Sequence, residues 1–283
     1  TVAKVSEAEV MLRSGAEDLL IAYPVYGAEK MRRLVDVARK AEVTVSVDSV
    51  EVARPIGEAA QAAGVRIGVL AEVDAGLHRV GAQPEQFVDL LRGLAGLPGI
   101  EVRGMAFYPG HIKKANDAGA MAALSTLISG LVSEAKAAGF ALPVVSGGST
   151  PTMWNSHEVA GMNEMRPGTY VFNDRNTIIS GACAPEDCAA TIVATVVSTS
   201  VPGQFVIDGG SKTFSSDKAA ADGFGVILDA PEALFEKMNE EHGYVKHAGH
   251  TRKVGDRVRV LPNHICVAVN LHERVYGVRG EDV

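Results

Sequence analysis

Short apolar runs alternate with longer stretches of helical periodicity through roughly the first 170 residues, and this alternation restricts the chain more than any other feature. Strand-like segments fall at 1–5, 18–22, 44–47, 66–73, 101–108, 143–146 and 163–166. Helical patterns separate them at 28–41, 50–63 and 84–95, and again where Met121, Leu124, Leu127, Ile128, Leu131 and Val132 recur at helical spacing. A shorter helical stretch covers 150–157. Ser6 and Glu9 have the spacing of a capping box, and Gly15, Gly64 and Gly139 stand where helices would stop. Parallel strands need such crossovers, so the pattern predicts a parallel α/β sheet. No Gly-x-Gly-x-x-Gly opens a helix after the first strand, which favours a barrel over a dinucleotide-binding sheet.

Seven strands are one short of a (β/α)8 barrel. The chain opens on Thr1 and runs straight into strand-like sequence, so the expectation is a TIM-type barrel whose first β/α unit is absent from this chain. The texture then changes. Segments at 191–200, 204–208, 257–261, 266–271 and 275–278 are β-rich and broken by Gly, Pro and Asp, with one helical stretch near 231–242. The expected division is a barrel over 1–170 and a mainly β domain over 171–283.

Composition narrows the function. With 27 Lys plus Arg against 34 Asp plus Glu and a net charge of -7, the chain has no basic footprint for nucleic acid. The longest apolar candidate, near 188–201, is interrupted by Thr and Ser, so no membrane partner is expected. Three cysteines at irregular spacing suit a reducing compartment, and the cytoplasm is the expected location.

Polar clusters gather at predicted strand ends, where barrel enzymes carry their chemistry. EVDAGLHRVG at 72–81 puts Arg79 in a Gly-flanked turn; a plain surface turn would read the same. FYPGH at 107–111 offers Tyr108 and His111 to a planar ligand, or is a solvated loop. Gly148, Ser149 and Thr150 form a Gly-rich turn at a helix start, the recipe for a phosphate cup, with a simple N-cap as the alternative. Arg166 ends the last strand ahead of Gly168, Thr169 and Tyr170, fit to meet a ring nitrogen or an anion, or to make a rim salt bridge. His264 and Cys266, two apart on a predicted strand, would face one side as a metal-ligand pair, although a His-x-Cys spacing also arises incidentally.

Taken in order, EVDAGLHRVG, FYPGH, GGSTPT, EMRPGTYVFND, VIDGGSK (206–212) and NHICVAVNL (263–271) resemble the D-threonine aldolase and D-serine dehydratase family, fold-type III pyridoxal-phosphate enzymes related to alanine racemase. The resemblance implies an alanine racemase-like barrel followed by a β domain. It implies that Arg166 partners the pyridine nitrogen, and that the Gly148, Ser149 and Thr150 segment with Gly168, Thr169 and Tyr170 holds the phosphate. It sets Arg79, Tyr108 and His111 beside the cofactor and substrate, and makes His264 and Cys266 the protein ligands of a divalent metal, with zinc ahead of manganese or magnesium. Cys266 resembles the dehydratase branch, since aldolases usually carry Asp there. The family's Schiff-base lysine precedes the segment equivalent to Thr1, and neither Lys4 nor Lys212 matches it. The implied activity is a metal-assisted lyase of β-hydroxy-D-amino acids working as a homodimer. The alternatives are an amino-acid racemase, which needs no metal, and a non-catalytic pyridoxal-phosphate-binding protein or fragment.

Overall fold

In the computed structural model, which describes residues 1–280, the chain divides into two compact units, Thr1–Pro167 and Gly168–Val283. The first is built on a parallel sheet of six strands: β1 (Asp18–Ile21), β2 (Glu42–Val47), β3 (Ile67–Val73), β4 (Ile100–Phe107), β5 (Val144–Gly147) and β6 (Glu164–Met165). They pair in chain order with every neighbour parallel, and the order never reverses as it does in a doubly wound sheet. Every residue of β3 is buried, as expected of a parallel strand covered on both faces.

The crossovers are α1 (Val5–Arg13), α2 (Ala28–Ala38), α3 (Val50–Ala62), α4 (Phe87–Ala95) and α5 (Ala118–Ala137). Each turns an apolar stripe to the sheet, such as Met31, Leu34 and Val37 on α2 or Leu90, Leu91 and Leu94 on α4. Leu91 is fully buried, and Leu91→Ala would cost about 2–5 kcal/mol. By length and hydropathy α5 is the one described helix that meets the requirement for a membrane span. Its Met121, Leu124, Ile128 and Leu131 nevertheless join the core of this unit.

Two expectations fail at the start of the chain. Residues 1–5 supply only an isolated bridge, Val2 beside Ile21, because α1 already begins at Val5. The Ser6–Glu9 capping box does not form. Glu7 instead accepts from the Ala3 amide at 2.7 Å, while Glu9 reaches Arg33 on α2 at 2.7 Å. The stretch 150–157 is a chain of turns ending in a short 3-10 turn at Ser156–Glu158 rather than a helix.

The second unit is a closed antiparallel barrel in the order β10-β11-β8-β7-β12-β9, from β7 (Ile192–Ser198), β8 (Gln204–Ile207), β9 (Gly225–Ile227), β10 (Leu234–Met238), β11 (Gly243–Lys246) and β12 (Arg257–Pro262). Phe205, Ile207, Ile227, Phe235, Val245, Val258 and Val260 fill it. Short helices α6 (Arg175–Ile179), α7 (Ser211–Phe214) and α8 (Ile265–Asn270) lie outside the strands. The expected helix near 231–242 is strand β10, and the expected strand at 266–271 is helix α8. The expected strand at 275–278 is not formed.

Candidate functional site

The chemistry-bearing residues of the first unit collect where β3, β4, β5 and β6 end. A loop of residues 74–81 leaves β3 and is pinned at its neck, where Ala82 donates to the Glu72 carbonyl and accepts from the Asp74 amide. Asp74 organises the loop from inside. Its Oδ1 accepts the Gly76 and His78 amides at 2.9 and 3.0 Å, and its Oδ2 meets His78 Nδ1 at 2.7 Å. Burial pushes this carboxyl up, but the three bonds from Gly76 and His78 prevail and bring it down to about 2. The Gly81 amide donates to Asp48 at the end of β2. The loop thereby sets the Arg79 guanidinium over the Tyr108 ring, 4.9 Å from its centroid. His111 lies against the same loop, where a Cβ on Gly76 would stand 3.1 Å from its Cε1. Arg79 and Tyr108 thus form a pair, and His111 lies against Gly76 of the same loop.

Arg166 follows β6 and turns back under β4 and β5, where its Nη2 donates to the Phe107 carbonyl at 2.8 Å and the Ser146 carbonyl at 3.4 Å. Among the described residues it makes no ion pair, so it is not a rim salt bridge. Its Nε is shut away from solvent with no partner. Glu72 on β3 is also buried, and its Oε2 is likewise unpaired. Burial pushes the Glu72 carboxyl up, against the pull of Arg166.

Gly148 has φ +77°, and a Cβ there would come within 3.0 Å of Ser156 Oγ, so only glycine suits this turn. Ser149 and Thr150 behind it are buried, with Ser149 Oγ 3.1 Å from Thr152 Oγ1. No backbone carbonyl of the described residues engages the amides of 148–150, which leaves them free for an anion.

The second unit holds its own cluster. Gly168 caps a 3-10 turn, Thr169–Val171, whose leading amides have no partner within the turn; Tyr170 is half-exposed. Thr169 Oγ1 lies 3.5 Å from Cys266 Sγ. His264 and Cys266 do come together, but not as alternate residues of a strand. His264 caps α8 with extended backbone and Cys266 sits in its first turn, so the two side chains are neighbours at the start of this helix. The neighbouring His264 imidazole pulls the Cys266 thiol down from its ordinary value. Asp174, followed by Cys266, pushes the His264 imidazole up. Among the described residues no group of three or more His, Cys, Asp or Glu is arranged to hold a metal.

Three residues inside the quoted motifs have contacts that the sequence alone does not assign. Asp174 is completely buried and reaches His264 Nδ1 at 3.0 Å from ninety residues away. Its signal was an Asn-Asp pair ahead of a short helix, an N-cap pattern. Glu72 stood out as a lone carboxylate in an apolar strand, and Asp74 as the first polar residue beyond it.

Two family models match the chain one after the other. Residues 1–176 match the alanine racemase N-terminal domain family, and residues 189–278 match a serine dehydratase domain family. The 3-hydroxy-D-aspartate aldolase of Paracoccus denitrificans is 30% identical over 99% of this chain and 75% of its own. The D-threo-3-hydroxyaspartate dehydratase of Delftia sp. strain HT23 is 30% identical over 94% of this chain and 77% of its own. The crystal structure of D-threonine aldolase from Filomicrobium marinum matches with a TM-score of 0.90 at 28% identity, covering 98% of this chain and 76% of that one. A D-threo-3-hydroxyaspartate dehydratase with a cysteine replaced by alanine, solved metal-free, matches with a TM-score of 0.87 at 26% identity, over 99% and 81% of the two chains.

Proposed function

The chain belongs to the alanine racemase-like family that contains D-threonine aldolase and the 3-hydroxyaspartate aldolases and dehydratases, and on that premise we propose that it is a pyridoxal-phosphate-dependent, divalent-metal-assisted lyase of β-hydroxy-D-amino acids. The sequential order of β1 to β6 supports reading the first unit as the wall of a (β/α)8 barrel. The residues present fit the cofactor. Arg166 keeps a buried, unpaired Nε at a strand end, and the free amides of the Gly148 turn suit a phosphate. They also fit a metal, since a thiol and an imidazole stand two residues apart at the start of α8 and suit zinc better than manganese or magnesium.

Pyridoxal phosphate bound there supplies a sink for charge at the substrate Cα, and the metal supplies Lewis acidity at the β-hydroxyl. Arg166 has a fixed task. A permanently charged guanidinium keeps an aromatic nitrogen facing it unprotonated, because two cations repel. A weakened sink makes assistance at Cβ valuable, which His264 and Cys266 provide by holding the metal. Two protein donors leave positions for water and substrate, as a catalytic metal site requires. Arg79, steadied on Tyr108, offers a cation to a substrate carboxylate, and His111 beside it offers a proton acceptor.

The observation that carries the lyase reading over a racemase is the His264–Cys266 pair, for which proton transfer at Cα has no use. Cys266 inclines the reading toward dehydration. The test supplies the protein with cofactor and zinc and offers D-serine, D-threonine and D-threo-3-hydroxyaspartate. Dehydration yields a 2-oxo acid and ammonia, whereas retro-aldol cleavage yields glycine and an aldehyde. A chelator should stop product release and spare α-proton exchange. Release that continues unchanged without metal would make the racemase the better reading.

A further inference from the structure

We propose that Asp174 is a positioning residue for His264, keeping a proton on Nδ1 so that Nε2 is the atom offered to the metal; the proposal rests on the metal reading above. Asp174 is fully buried, and both of its oxygens are saturated. Oδ1 accepts the Thr177 amide and the Thr177 hydroxyl, each at 2.8 Å. Oδ2 accepts the Ile265 amide at 2.9 Å and meets His264 Nδ1 at 3.0 Å. An ionised carboxylate can only accept, so Nδ1 must be the donor, and when the ring gives up its other proton to bind a metal the lone pair is on Nε2.

Capping α6 uses Oδ1 alone. Oδ2 serves a different end of the unit: it takes a free amide at the start of α8 and fixes the ring beside it. The same segment reaches Cys266 through Thr169, so residues 169–174 back both donors before any metal arrives. A carboxylate behind a metal-binding imidazole orients the ring and raises its basicity.

The substitution Asp174→Asn separates the two tasks. With its oxygen still capping Thr177, the new amide would face His264 and Ile265 with donors. The ring must then accept at Nδ1, and the proton moves to Nε2, where the metal has to bind. Zinc affinity, measured by competition with a chromophoric chelator, should fall about 10- to 100-fold. Thr177→Val, which removes only the hydroxyl bond to Oδ1, is the control: it should lower the melting temperature and leave zinc affinity within about threefold of the original. Asp174→Asn with unchanged zinc affinity overturns the proposal, as does an equal loss in both variants, which would make Asp174 a cap and nothing more. Nitrogen-15 NMR of the unsubstituted, zinc-loaded protein decides independently of how the variants fold. The expected spectrum shows His264 protonated at Nδ1 and zinc-shifted at Nε2, and coordination through Nδ1 overturns the proposal. Failure of the unsubstituted protein to bind zinc would instead overturn the metal reading on which it rests.

Discussion

Arg166 in the first unit and His264 in the second are each fixed from behind, yet by groups of opposite character. Arg166 leans on two neutral carbonyls, of Phe107 and Ser146, which satisfy one nitrogen and leave its charge without an ion pair and its Nε without a partner. His264 leans on an ionised carboxylate that is itself saturated by four donors. The first arrangement leaves hydrogen-bond donors in surplus, which suits a ligand rich in lone pairs such as a pyridine nitrogen. The second presses electron density toward the imidazole and the neighbouring thiol, which suits a cation. One chain therefore builds an acceptor-seeking site on parallel strand ends and a cation-seeking site on the cap of a short helix.

The sharpest way to break this contrast is to remove the thiol. Cys266→Ala should lower product release from a β-hydroxy-D-amino acid about a thousandfold, the several kcal/mol expected of lost Lewis-acid assistance. Pyridoxal-phosphate affinity and α-proton exchange should persist. Arg166→Leu should do the reverse, weakening cofactor retention about a hundredfold through loss of a charged hydrogen bond and changing the cofactor spectrum, with zinc affinity intact. Equilibrium dialysis for each ligand on both variants reads the outcome. If either variant loses both ligands alike while still folded, the two sites are not the separate devices described here.

The same two regions differ in how far the sequence disclosed them. In the first unit β1 to β4 are each followed by a crossover helix, two of which, α3 and α5, stop at Gly64 and Gly139, so local pattern and final pairing agree over most of the sheet. In the second unit they conflict. Residues 231–242 are rich in Glu, Ala, Leu, Lys and Met, good helix formers, yet 234–238 form a strand because Phe235 fills the barrel and its backbone pairs with β11. Residues 265–270 look like a strand, with Val, Ile and Cys, but the Asp174 carboxylate caps them as a helix from ninety residues away. No local window contains that bond. Strand geometry predicts that His264 and Cys266 share a face, yet a helix start makes them neighbours, whereas the strand ends that point to Arg79, Tyr108 and His111 do form.

The smallest effect tests how the first unit's loop is held. Asp74→Asn keeps one oxygen to accept the Gly76 and His78 amides but loses the charge that binds His78, at a cost of about 1 kcal/mol near neutral pH. The sign of its pH dependence follows from the depressed carboxyl. Asp74 is near 2 when folded and about 3.9 when unfolded, so its stabilisation is fully present above about pH 4. It drains away as pH falls through that window toward 2. The gap in melting temperature between the original protein and Asp74→Asn should therefore be constant at higher pH and close below pH 4. Hydrogen exchange at the Gly76 and His78 amides should quicken in the variant, because their acceptor is no longer anchored by the bond between Oδ2 and His78 Nδ1. A gap that stays constant down to pH 2 would mean that the loop is held by its neck at Ala82, and that Asp74 does not set Arg79 over Tyr108.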